Sequence, residues 1–595
     1  MIFSRLYRLY SLVLLYVKKH LNHRQFIIFS SIWVGLSAGM AAVTLKMAVH
    51  YIQSSLTNDF HFMYQSYFYL IFPLIGIVLT VTFVKYVLKG KFGKGAGHIL
   101  LYISKKFSLI EKTTMYSHMV TSALTVGFGG SAGLEAPIVV TGAAIGSNYG
   151  RVNTEDYRDR TLLLACGSAA GIAAVFDAPI AGLMFALEVL ISEVTISAFI
   201  PLIIAAATGA LCSKIVLQEK ILLFFSLRSP FNYMNVPYYI VLGLLAGLVS
   251  LYYARTFRRV ESLFRPLENR TYVKALIGGL VLAVLVFLFP PLFGEGYSSI
   301  KLLANGDVDG LLKNSFLMEF SSSQWYILSI IGVITLVKVF ATSFTLGSGG
   351  NGGNFAPSLF VGAFLGFFFS RSVNLLSPIK LPEANFTLVG MAGILSGVMY
   401  APLTGIFLIA EITGGYELMI PLMIVSASAY AIVRHFEPFS MDTKELGSKG
   451  ELITGNRDRT ILTLLHVDEI IERNFSTIKS NASIMEVTEV IAHSKRNIIP
   501  VIDNSDNLLG IIKLENIREI LFELDEYKEL PAVELMDKVP ATVEYNEEMC
   551  NVMKLFDETG AWNLPVVNNG RYVGFISKSS IFTKYRSELQ HHYTD

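Results

Sequence analysis

Long uncharged apolar runs separated by short polar breaks fill the first 435 or so residues of the chain and then stop. The runs Phe26–Val49, Phe68–Val87, Tyr239–Tyr253, Ala275–Phe289, Tyr326–Ala341 and Phe386–Ile409 carry few or no charges. Several of them reach the length an α-helix needs to cross a hydrocarbon core of roughly 30 Å. The pattern predicts about ten or more membrane helices between residues 26 and 435. Beyond residue 436 the texture becomes mixed and charged, with the polar stretch Met441–Thr460 reading as a linker. There, Asn497-Ile-Ile-Pro-Val-Ile-Asp503 followed by Leu509-Gly-Ile-Ile512 returns as Asn563-Leu-Pro-Val-Val-Asn568 followed by Val573-Gly-Phe-Ile576. Each copy predicts a helix, a short buried strand, a polar turn and a second strand, which is a small α/β unit used in tandem. The expected organisation is a segment 1–25, an all-α polytopic membrane domain over 26–440, a linker over 441–465, and α/β units over 466–528 and 529–595.

The membrane part also repeats. Gly130-Gly-Ser-Ala-Gly-Leu-Glu-Ala-Pro137 is echoed by a glycine-rich run ending Asn354-Phe-Ala-Pro357, so that Pro137 and Pro357 lie 220 residues apart. A second pair follows each, Ala178-Pro-Ile-Ala-Gly182 through Glu188 and Ala401-Pro-Leu-Thr-Gly405 through Glu411, with Pro179 and Pro402 separated by 223 residues. Two similar halves, each broken by glycine and proline, predict an inverted-repeat architecture with its site between the halves.

Composition narrows the class. Of 595 residues 53% are hydrophobic and 16% charged, too apolar for a soluble protein, and a net charge of +2 gives no reason to expect nucleic acid. Arg5, Arg8, Lys18, Lys19 and Arg24 precede the first span, and Arg255, Arg258, Arg259, Arg265 and Arg270 crowd one loop. By the positive-inside tendency both segments, and both termini, are expected in the cytoplasm. The apolar run Leu9–Val17 is followed by charges and not by a small-residue cleavage site, so no cleaved leader is expected. Cys166, Cys212 and Cys550 match no metal spacing and no disulfide framework. No Ser/His/Asp constellation, metal-binding His cluster or phosphate-binding Walker sequence is present, so neither an enzyme nor a required cofactor is expected.

The broken helices suit an anion. Chloride stripped of water needs partial positive charge around it, and a full lysine or arginine would hold it too tightly to let it leave. Free N–H groups at helix N-termini supply that charge, and glycine lets the backbone come close. Both glycine loops place glycines just before an apolar helical run, with proline early in the helix where its missing N–H costs little. Glu135 sits inside the first loop; its carboxylate can occupy an anion's place and leave when protonated, or it can serve only as a helix-start acid. Tyr416 can turn a neutral hydroxyl into a pore, or sit in an interfacial belt. Glu188 and Glu411, at equivalent repeat positions, suggest a shared structural role, and Lys338 is expected to snorkel or to pair with an acid.

These motifs resemble the CLC family of chloride channels and chloride/proton antiporters over roughly residues 26 to 435, and the tail resembles a tandem CBS pair. Gly133-Leu-Glu-Ala-Pro137 is similar to the family's G-K/R-E-G-P motif and Gly353-Asn-Phe-Ala-Pro357 to its G-x-F-x-P motif. The resemblance implies that Glu135 is the gating and proton-accepting glutamate and that Asn354 and Phe355 hold the anion through backbone amides. It further implies that Gly133, Tyr416 and the Gly95, Ala96, Gly97 segment complete the site, in a homodimer with one pore per subunit. The family's G-S-G-I-P motif stands here as Gly95-Ala-Gly-His-Ile99, without the serine hydroxyl at Ala96. Ala136 replaces a glycine beside Glu135, and Val189 stands where antiporters carry a relay acid next to Glu188. Val189 makes a gated chloride channel the expected function; a chloride/proton antiporter using Glu188 or Glu193 is the alternative, and a CBS-regulated cation carrier with clustered pore carboxylates a remote one. In the tail, Lys513 and Asn516 depart from the Ser/Thr and Asp of nucleotide-binding CBS units, whereas Ser577 and Ser580 leave an adenine-nucleotide site open in the second copy. The modest N-terminus and loops point to a prokaryotic plasma membrane.

Overall fold

The computed structural model describes residues 20–58, 70–90, 92–93, 95–105, 108–154, 156–191, 196–217, 225, 229–312, 323–444, 462, 465–494, 496–518, 520, 527 and 531–593. The start of the expected N-terminal segment, most of the expected linker and Glu193 lie outside the described residues. The chain divides into two units, residues 1–452 and 453–595.

The first unit is helical. Its principal helices are α1 (His23–Asn58), α2 (Phe72–Tyr86), α3 (Gly95–Lys105), α4 (Thr114–Gly127), α5 (Glu135–Asn153), α6 (Tyr157–Phe176), α7 (Pro179–Phe185) and α8 (Ile196–Leu217). They continue with α9 (Val236–Leu263), α10 (Thr271–Leu288), α11 (Tyr297–Ala304), α12 (Gln324–Gly347), α13 (Phe355–Leu376), α14 (Glu383–Met399), α15 (Pro402–Ile412) and α16 (Met419–Phe436). Eight of these are long and apolar enough to cross a membrane, fewer than the ten or more spans the hydropathy runs predict. Glycine and proline explain the difference. α2, α14, α15 and the α7 segment through Leu190 are apolar but shorter, and a run such as Phe386–Ile409 is broken at Tyr400-Ala-Pro402 into two helices.

Sequence repetition becomes reciprocal packing. α5 crosses α6 with Gly142 against Gly167, and α13 crosses α14 with Gly362 against Gly390; at both crossings a Cβ would strike the opposing backbone. α6 ends on Asp177 (φ 53°) and α14 on Tyr400 (φ 60°), each a left-handed cap that turns the chain into Ala-Pro and the next helix. The Ser131 amide donates to Thr345 Oγ1 at 3.1 Å, while the Asn351 amide donates to Thr125 Oγ1 at 2.9 Å. Each half thus holds the other by the same bond, as across a two-fold axis. The outer faces stay apolar: Ile200, Ile203 and Leu211 on α8, and Leu276, Leu280 and Val284 on α10, are all exposed, as suits lipid.

The second unit contains two three-stranded sheets. In each, the first strand is parallel to the second and the second antiparallel to the third: Ile478–Lys479, Ile498–Ile502 and Leu508–Lys513, then Val543–Glu544, Asn563–Asn568 and Arg571–Ser577. The leading strands are only two residues long, too short to announce themselves by alternation, so the helix-strand-turn-strand expectation lacked them. The helix Ile484–His493 starts on a capping box in which Ser483 and Glu486 each satisfy the other's backbone N–H. The copies are interlaced: Glu472, ahead of the first, bridges to Phe575 in the second, and Asp537, ahead of the second, bridges to Ile511 in the first.

Candidate functional site

The two glycine loops meet. Gly133 and Gly353 form an antiparallel bridge in which each amide donates to the other's carbonyl, at 2.9 and 2.8 Å. Neither position has room for a side chain, since a Cβ on Gly133 would lie 2.9 Å from Ala356 Cβ, and one on Gly353 2.6 Å from Ala136 Cβ. The bridge brings the N-termini of α5 and α13 side by side, with Glu135 opening one and Phe355 the other.

Glu135 is fully buried and turned toward the facing helix. Its Oε2 accepts from the Ala356 amide at 3.4 Å in the first turn of α13, and its Oε1 accepts from the Tyr297 hydroxyl. A carboxylate here stands where the helix end and a phenol would receive any small anion. Phe176 packs between these parts, its ring 5.5 Å from Phe355 and 6.1 Å from Tyr297. Asn354 is the residue before α13, and its side-chain Oδ1 accepts from the buried Tyr253 hydroxyl at 3.1 Å, which leaves its backbone to the loop. The structure thus gathers Gly133, Glu135, Asn354 and Phe355 at one locus.

Gly95, Ala96 and Gly97 open α3, which packs against α5 and the π-helical turn Ala186–Leu190. Tyr416 does not join the locus: it lies in the turn between α15 and α16 and is 58% exposed. The phenols at the site are Tyr297 and Tyr253 instead. The sequence signal for Tyr297 was its turn, Gly294-Glu-Gly-Tyr297, where Gly294 and Gly296 both take positive φ just ahead of α11.

Charged groups are closer than the sequence reading expected. Lys338 neither snorkels nor makes a close ion pair; it is fully buried, with Nζ 2.8 Å from Ser131 Oγ, 3.2 Å from Gly294 O and 3.5 Å from Leu292 O, over the Phe360 ring at 4.6 Å. Lys46 donates to Val175 O at 2.7 Å, from α1 to the end of α6. Glu295 receives a backbone donor from Leu134 and interacts electrostatically with Glu135, Lys46 and Lys338.

Glu188 and Glu411 stand apart from this locus in function. Glu188 accepts from the Leu403 and Thr404 amides, both at 2.8 Å, and from Thr404 Oγ1 at 2.7 Å; Glu411 accepts from the Ile180 amide at 2.9 Å and the Ala181 amide at 2.8 Å. Each satisfies orphan N–H groups in the first turn of a helix from the other half. Val189 follows Glu188 in the π-helical turn, packed against the apolar core.

In the second unit the Ser577 hydroxyl donates to Glu472 Oε1 at 2.7 Å and lies 2.9 Å from Ser580 Oγ, while Arg496 pairs with Glu472 Oε2 at 2.6 Å. In the first copy Lys513 pairs with Asp537 at 3.1 Å. Asn516 also bonds Asp537, and these two neighbours hold the Asp537 carboxyl below the usual aspartate range.

Among known proteins, the chain is similar to an H(+)/Cl(-) exchange transporter ClcA of Vibrio campbellii, with 27% identity over 431 residues covering 69% of this chain and 86% of the relative. The crystal structure of a slow cyanobacterial Cl-/H+ antiporter superposes with a TM-score of 0.62 at 22% identity, covering 72% of this chain and 98% of that one. That of a eukaryotic CLC transporter gives 0.60 at 18% identity, covering 93% of this chain and 97% of that one. The CBS domain model matches residues 467–523 and 532–587. The voltage gated chloride channel model matches residues 76–434, well over half of the chain, and with eight helices fit to span a bilayer this multi-pass membrane protein belongs to that family, the CLC family, and carries a tandem CBS pair.

Proposed function

We propose that the chain moves chloride across a membrane in exchange for protons, with the Glu135 carboxylate and chloride alternating at the N-terminus of α13. One observation carries the reading: Glu135 already takes an anion's ligands, the Ala356 amide and the Tyr297 hydroxyl, inside a closed apolar setting. An acid in that position must be displaced or neutralised before chloride enters, and neutralising it takes up one proton. The exchange activity named for the Vibrio relative supports coupling over simple conduction.

A second reading, a glutamate-gated channel, is favoured by Val189. At the relay position a valine can accept no proton, and the neighbouring Glu188 spends both oxygens on Leu403 and Thr404. We further assign the functional molecule as a homodimer with one path per subunit and cytoplasmic termini in a prokaryotic plasma membrane.

The test is flux in liposomes. Purified protein is given a chloride gradient under a potassium-ionophore voltage clamp while chloride and internal pH are followed together. Uphill proton movement driven by chloride, abolished by Glu135→Gln, is the expected result. Chloride movement with protons still supports the channel, and no chloride movement by the wild-type protein sinks both readings.

A further inference from the structure

The buried charges around Glu135 have a sum, and the sum makes a demand. Lys338 Nζ faces three acceptors, Ser131 Oγ, Gly294 O and Leu292 O; two are carbonyls, which only accept, so the arrangement suits an ammonium with its three donors. Lys46 Nζ is held by the Val175 carbonyl, also as a donor. Against these stand two carboxylates, Glu135 and Glu295, on the paired turns Gly130–Glu135 and Gly294–Tyr297. Asp177 is also within reach of Lys46, but it has a partner of its own in Lys214 at 3.8 Å.

We infer that Lys46, Lys338 and Glu295 form a fixed buried set carrying one net positive charge, and that this set requires a single anion at the α13 N-terminus, either the Glu135 carboxylate or one chloride. With Glu135 ionised and in place, two cations face two anions. Once Glu135 is protonated or swings out, one positive charge is left without a partner in a low-dielectric interior, where uncompensated charge is costly. Chloride entry restores neutrality. Helix ends alone would attract an anion without fixing how many; a whole charge fixes the number at one. This inference rests on chloride being the transported ion.

The opposite signs of the charges make it testable. In a Glu135→Gln background, which removes the competing carboxylate, chloride binding to purified full-length protein is measured by calorimetric titration in chloride-free buffer. Adding Lys338→Met takes away one positive charge and is expected to weaken chloride roughly tenfold, and adding Glu295→Gln takes away the negative one and is expected to strengthen it by a similar factor. The Lys338→Met/Glu295→Gln combination should return near the starting affinity.

A purely packing role predicts no such reversal of sign. If both single changes move affinity the same way, or by less than twofold, the charge-balance inference is overturned while the transport reading stands. If Glu135→Gln protein binds no chloride at all, the transport reading itself falls. Should Lys338→Met not be recovered folded, the Glu295→Gln arm decides alone: tighter binding supports the inference, and unchanged or weaker binding overturns it. Failure of both variants to fold would assign these charges to the fold and also overturn it.

Discussion

Glu188 and Glu411 cap each other's halves: Glu188 binds the first-turn amides of the helix that leads to Glu411, and Glu411 binds those of the helix that leads to Glu188. The four donors are residues 223 positions apart in pairs, Ile180 with Leu403 and Ala181 with Thr404. Removing one carboxylate leaves two N–H groups without an acceptor, at about 1–3 kcal/mol for each buried group left unpaired. Glu188→Ala and Glu411→Ala should therefore lower the unfolding temperature of detergent-solubilised protein to a similar extent. If Glu188→Ala unfolds like wild type but loses proton movement, Glu188 is a relay and not a cap.

Tyr297→Phe removes the hydroxyl that holds Glu135 Oε1 and leaves the ring against Phe176. A hydrogen bond to a charged group is worth roughly 1.5–3 kcal/mol, so the carboxylate becomes a weaker competitor for its own site by about tenfold or more. Half-saturating chloride for transport should fall. A rise would mean that the phenol serves chloride more than it serves Glu135.

Gly133→Ala tests the bridge between the loops. Its Cβ would sit 2.9 Å from Ala356 Cβ and 3.0 Å from Ala356 N, and would also strike Glu135 Oε2, so the carboxylate loses its seat before the fold loses its core. Chloride flux should drop by an order of magnitude or more with the protein still eluting as folded, as geometry shifts of about 1 Å commonly do at preorganised sites. Unchanged flux would place the path elsewhere.

The Ser577 hydroxyl is already engaged by Glu472, which Arg496 fixes from its other side. A phosphate or ribose would have to displace a carboxylate, so millimolar ATP should leave the unfolding temperature of the full-length protein where it was, by the linkage between ligand affinity and stability. Glu472→Ala clears the position. A clear ATP-dependent rise in the unchanged protein would show that the carboxylate yields.

Asp537 gives the second unit a pH signature. Its carboxyl, bonded by Asn516 and paired with Lys513, is held below the usual value, so its stabilisation is complete above the unfolded-state value near pH 4 and disappears as pH falls through its lower folded value. Both side chains are partly exposed, which limits the effect to about 1 kcal/mol. Asp537→Asn should thus be the less stable protein at pH 7 and equal to wild type near pH 2. A difference that persists at the acid end would point to packing instead.

The sequence by itself determined the membrane class, the two halves, the paired glycine loops, Glu135 and the tandem tail. Those features are periodic or local: apolar runs measure out spans, and the spacings of 220 and 223 residues record a duplication directly. Even the shared role of Glu188 and Glu411 was legible, because the repeat paired them. Tertiary structure alone decided which groups face Glu135. Tyr297, Lys338, Ser131 and Ala356 come from four separate segments, and no local pattern states that they converge. It also removed Tyr416 from the site, since a tyrosine after Gly414-Gly415 can turn inward or out to the surface, and only the packing of α15 and α16 selects the outer position. Lys338 shows the limit most clearly: a lysine in an apolar helix reads as a snorkelling or paired residue until the three oxygens that bury it, from two distant loops, are brought to it by the fold.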